Sequence, residues 1–170
     1  MANPEQREKV ERFERYNFER RESGREAPKF HDNDVRSIKI LPPRKKNDPS
    51  NIEFLFFDPD ESVERLLRVK QCANLRFSMD FDILADNTSG PKSSAGQTSN
   101  VEVSGCRECI ERVLKQGMAD WNVEYPPRDD TPATYRVYQL QKFILVKVWL
   151  CGGTLAIVAR DFEIETKQSQ

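Results

Sequence analysis

The chain has 170 residues, 32% charged and 37% hydrophobic, with a net charge of −1. That length suits one domain with a buried core plus tails, and the near-zero charge excludes a strong nonspecific polyanion binder, so any nucleic-acid site must be a local patch. No apolar run reaches bilayer-spanning length and no apolar stretch follows a basic N-terminus, so no membrane partner and no secretory signal are expected. The expectation is an intracellular protein whose four cysteines, Cys72, Cys106, Cys109 and Cys151, are reduced thiols.

Residues 3 to 22 read as a helix, with Asn3 as N-cap, Pro4 in the first helical position and Gly24 beyond the end. Glu5/Lys9, Glu8/Arg12 and Glu11/Arg15 are acid-first pairs four apart. The apolar stripe of Val10, Phe13 and Tyr16 is narrow, which predicts a solvated or frayed helix; the alternative is a helix that docks on a partner or on the domain. Ser23 to Asn33 reads as a linker. Residues 1 to 33 are thus a charged helical extension, and 34 to 166 the domain.

Val35 to Leu41 is the first predicted strand, stopped by Pro42-Pro43, and Ile52 to Phe57 the second. Between them Arg44, Lys45 and Lys46 form a basic triplet, either a solvated loop tip or a phosphate contact. Asp58-Pro59-Asp60-Glu61 resembles a helix start, with Val63, Leu66 and Leu67 behind it, so a helix is expected over Asp58 to Lys70. Leu75, Phe77, Met79, Phe81 and Ile83 alternate with Arg76, Ser78, Asp80 and Asp82, the pattern of a half-buried strand.

Residues 87 to 103 are expected to be a disordered loop, and Ser104 to cap a helix through Gln116 that Gly117 ends. A short extended piece is expected around Trp121. The longest strand is predicted up to Leu150, with Tyr138, Leu140, Ile144, Val146 and Val148 facing the core; Cys151-Gly152-Gly153 turns into a last strand in which Ala156, Val158, Phe162 and Ile164 share a phase. Phe143, Leu145 and Trp149, with Lys147, lie on the other face of the longest strand. The elements available to cover them are the narrow-striped N-terminal helix and the short piece near Trp121, so this face is the expected partner-docking surface, with Lys142 and Lys147 at its rim.

The chain lacks groups for chemistry, so no enzyme, cofactor or small-molecule substrate is expected. The sole histidine, His31, sits in the linker, no Gly-rich phosphate loop is present, and Asp80/Asp82 read as plain solvent-facing carboxylates. Only Cys106/Cys109 has zinc-knuckle spacing, which argues against a metal site; a thioredoxin-like redox site is disfavoured because the pair is not expected to follow a strand.

Strand, strand, strand, helix, then a closing hairpin is the element order of the OB-fold, a five-stranded barrel, and the expected class is mainly β with helices, α+β. KFILVKVWLCGGTLAIVARDFEIE resembles the closing hairpin of the OB-folds in the middle subunit of replication protein A and its telomeric CST counterpart, a class that includes the terminin telomere-capping proteins of flies. The resemblance covers about thirty residues, from 135 to 165. It implies a non-catalytic nuclear subunit of a hetero-oligomer that protects single-stranded DNA or chromosome ends, with Arg44, Lys45, Lys46 and Arg76 on the nucleic-acid surface. The alternative is a protein–protein interaction module without direct nucleic-acid contact.

Overall fold

The structure, a computed structural model, describes residues 2–43, 50–79, 97–124, 137–150 and 153–168. In chain order the elements are α1 (Pro4–Asn17), β1 (Asn33–Leu41), β2 (Ser50–Asp58), β3 (Val63–Met79), β4 (Gln97–Ser104), α2 (Arg107–Glu124), a 3-10 turn (Val137–Lys142), β5 (Ile144–Leu150) and β6 (Gly153–Gln168). The fold is mainly β with two α-helices among the described residues. Every strand pair is antiparallel, the order is β1-β2-β3-β6-β5-β4, and the ring closes where Asn33 and Asp34 meet Thr98 and Gln97. Among the described residues six strands stand where five were expected, and α2 follows the fourth of them instead of the third.

The interior is filled by alternate residues of each strand: Ile52, Phe54 and Phe56 from β2, Leu67 and Val69 from β3, Val101 and Val103 from β4, Ile144, Val146 and Val148 from β5, and Leu155, Ile157 and Ala159 from β6. The predicted inward set of β5 is therefore correct from Ile144 onward. Before it, residues 137–142 turn as a 3-10 helix, and Phe143 donates its N–H to the Leu140 carbonyl at 3.1 Å. Three residues per turn places Leu140 and Phe143 on one side, against α2. Along β6 the inward face switches between Ala159 and Phe162, so the expected single phase divides: Phe162 fills the barrel while Ala156 and Val158 lie outside it under α2.

The segment expected to be a helix over Asp58 to Lys70 is the first half of β3. Val63, Arg65, Leu67 and Val69 are all buried at a period of two, but the arginine at a core position hides the alternation, and Val63/Leu66/Leu67 mimics helical spacing. The helix-start signal is real local chemistry put to another use. Asp58 Oδ1 accepts the N–H groups of Asp60 (3.0 Å) and Glu61 (3.3 Å), closing the β2–β3 turn, which leaves through Ser62 at φ 53°. Leu75 to Met79, the first part of the predicted third strand, continues β3 beyond a bulge at Cys72 to Asn74; Asp80 to Ile83 lie outside the described residues. Residues 97–103 of the expected disordered loop form β4.

α1 and the segment after it are part of the domain. The capping box is present: Asn3 Oδ1 accepts the Gln6 N–H at 2.8 Å, and Gln6 Oε1 accepts the Asn3 N–H at 3.0 Å. Gln6 is itself buried and donates to the Phe143 carbonyl at 2.6 Å. Phe13 stacks on Phe30 at 6.0 Å and meets the edge of Phe162 at 5.7 Å, while Phe30, fully buried, meets Phe56 at 5.1 Å. A stripe of one large ring suffices because the supposed linker brings Phe30 to complete the plug. Arg12 adds an exposed pair to Asp161 at 2.5 Å, which contributes little to stability.

α2 runs through Gly117 to Glu124, past the expected stop and over the expected extended piece. Gly117 lies close to β3: a Cβ there would sit 2.2 Å from the side-chain amide of Asn74, which must swing aside to admit it. Gly117→Val is expected to lower stability by about 1–3 kcal/mol despite its gain in helix propensity, because its branched side chain must displace the Asn74 amide from between α2 and β3. Chemical denaturation that shows equal or greater stability would mean α2 sits looser on the barrel.

Candidate nucleic-acid interface

β-Sheet register assembles a polar and aromatic patch from residues far apart in sequence. On the outer face Lys147 of β5 pairs with Ala156 of β6, which pairs with Arg76 of β3; in the next row Trp149 pairs with Thr154, which pairs with Ser78. Lys147 and Arg76 are two strands apart, about 10 Å at ordinary strand spacing. Trp149 is 36% exposed, Arg76 and Ser78 are exposed, and Lys147 is half-buried. The Lys147 ammonium lies 5.6 Å from the centroid of the Trp149 ring, within cation–π range. Between them, Thr154 is half-buried, and Ala156 packs against the second core under α2.

β4 borders the patch through Asn100, paired with Trp149, and Glu102, paired with Lys147. The exposed Glu102 carboxylate offsets part of the Lys147 charge, so the electrostatic attraction of the patch for a polyanion is modest. The patch combines one aromatic face, two cations and short hydroxyl side chains, the set that binds a single strand by stacking and phosphate contact.

The expected sites are redistributed. Arg76 joins Lys147 and Trp149, merging part of the nucleic-acid surface with part of the docking surface. Phe143 (9% exposed) and Leu145 (1%) do not belong to any open face: α2 covers them with Ile110 and Leu114, and with Val158 they form a second core. That face looked uncovered in the sequence because only the narrow-striped N-terminal helix and a short piece near Trp121 were weighed as its cover, and not the helix that starts after Ser104. Arg44, Lys45 and Lys46 lie outside the described residues, as do Asp80 and Asp82. Ser78, Thr154 and Asn100 were missed, since only register shows that they border a tryptophan.

The cysteines also differ from expectation. Cys106 and Cys109 do follow a strand: β4 ends at Ser104, and Cys106 immediately precedes α2. Burial pushes the Cys72 thiol up to about 11, which leaves it inert. Among the described residues no group of three or more His, Cys, Asp or Glu side chains is placed to hold a metal ion. No family model matches the chain, and no curated protein matches it significantly.

Proposed function

We propose that the chain is a non-catalytic, OB-fold-like subunit of a nuclear complex that protects single-stranded DNA or chromosome ends, and that it touches the strand through Trp149, Lys147 and Arg76. The observation that carries this reading is the common outer face on which strand register groups one aromatic and two cations. The barrel supports it further. It keeps the three-strand meander, a helix ahead of the closing hairpin and the resemblance of that hairpin, with β4 as one added strand between the hairpin and β1.

Fluorescence anisotropy of the purified chain with a labelled oligothymidine tests it. Trp149→Ala is expected to weaken binding by about 1–3 kcal/mol, the usual contribution of one stacked base. Replacing Lys147 and Arg76 together with glutamate should make the salt dependence shallower by about 1.4 on a log–log plot, from about 0.7 per phosphate contact. Affinity indifferent to both changes removes the patch from the strand's path.

A second reading, a protein–protein module, is favoured by one observation. Among the described residues β1 pairs with β4 only at Asn33 and Asp34, and Ile38 (41%), Ile40 (60%) and Leu41 (38%) are exposed further along it. Ile40→Asp that abolishes partner copurification while oligothymidine binding persists would assign the partner to β1 and the strand to Trp149.

A further inference from the structure

We propose that Cys106 and Cys109 are a redox-active dithiol that exchanges with low-molecular-weight disulfides of the glutathione type, on the juxtaposition of both sulfurs at the strand–helix junction that opens α2. The two Sγ atoms lie 2.6 Å apart. Cys106 occupies the N-cap position: its carbonyl accepts the Ile110 N–H at 3.0 Å, and its Sγ accepts the Cys109 N–H at 3.3 Å, the role a Ser or Asp oxygen normally plays. That places the Cys106 sulfur against the free N–H groups that open an 18-residue helix.

Charge around the pair is mixed. The Glu108 carboxylate lies 3.6 Å from Cys106 Sγ, while Lys147 from β5 and Arg112 from α2 favour negative charge at Cys109. The interaction with Cys106, then burial, holds the Cys109 thiol above its ordinary range. This asymmetry fits an attacking Cys106 and a resolving Cys109 that stays protonated until needed. Cys72, Cys106 and Cys109 are all partly exposed residues, and burial holds the Cys72 thiol up at about 11.

The exchange balances in two steps. The Cys106 thiolate attacks one sulfur of the small disulfide, forming a mixed disulfide and releasing one thiolate. Cys109 then gives up its proton and attacks the Cys106 sulfur, closing the Cys106–Cys109 bond and releasing the second thiolate, which with the first takes up the protons lost by the pair. Two protein thiols are oxidised and one glutathione disulfide is reduced to two glutathione thiols.

The test uses the reduced full chain, glutathione disulfide and quenching by iodoacetamide, with peptide mapping by mass spectrometry. In the native chain Cys106 and Cys109 are expected to lose alkylation together while Cys72 does not react. Cys109→Ser should trap glutathione on Cys106. Cys106→Ser keeps a good N-cap and should fold, yet Cys109 should then react roughly tenfold slower. Absence of a trapped adduct in Cys109→Ser, or equal rates in the two variants, overturns the proposal. A cooperative thermal melt of each variant shows that an absent adduct does not come from misfolding.

Discussion

Asp58→Ala is expected to lower the unfolding free energy by about 3–5 kcal/mol, the cost of breaking a buried ion pair from one side. Asp58 is 1% exposed and stands between two buried arginines: its Oδ2 accepts from Arg65 Nη1 at 2.7 Å and lies 3.1 Å from Arg21 Nη1. The guanidinium of Arg65 also pairs with Glu61, and that of Arg21 donates to the carbonyl of Pro28 at 2.7 Å. Removal of the carboxylate leaves two buried cations facing each other, with Glu61 on Arg65 and the more distant Asp60, 3.8 Å from Arg21, as the remaining acids. The same change deletes the acceptor of the β2–β3 turn, so part of the loss is local. Against a total stability of about 5–15 kcal/mol, a loss of this size brings many domains close to unfolding at 37 °C. Urea denaturation checks it; a loss below about 1 kcal/mol would mean water reaches the arginines and the pairing contributes as little as a surface pair.

Val146→Asp is expected to prevent folding altogether. Val146 is fully buried at the centre of β5, paired with Val103 on one side and Ile157 on the other. A carboxylate there has apolar neighbours on both flanking strands. Its desolvation costs several kcal/mol even if it takes up a proton to become neutral. Lys147→Asp, one residue further on and facing outward, is the control that should fold. A cooperative melt of Val146→Asp within about 2 kcal/mol of the parent would put the wrong face of β5 inside the barrel.

These two sites illustrate different degrees of legibility. The inward phase of β5 was readable because Ile144, Val146 and Val148 recur at the pleat's own period and every position between them, Lys147 apart, could be left to another cover. The β3 segment was not readable. Arg65 sits at an inward position, and the sequence pattern does not reveal that Asp58 and Glu61 fold back to neutralise it there. The helix-start signal at Asp58-Pro59 was likewise local and correct as turn chemistry, but local chemistry does not say whether a helix or a strand comes next.

The sequence by itself determined those features that depend on near neighbours: the Asn3 cap of α1, the presence of α2 soon after Ser104 although Cys106 and not Ser104 caps it, the strands β1 and β2, and the inward residues of β5. Period and capping act over three or four residues, so they can be read from the chain without knowing its path. Only the tertiary structure decided what covers what. α2 takes Phe143 and Leu145 into a second core, and Phe30 from the supposed linker completes the plug that Phe13 begins. β3 and β6 bring Arg76 and Thr154 beside Lys147 and Trp149, and β4 places Cys106 at a helix end. Each of these depends on pairing between residues tens of positions apart, whose energies exist only once the register is set.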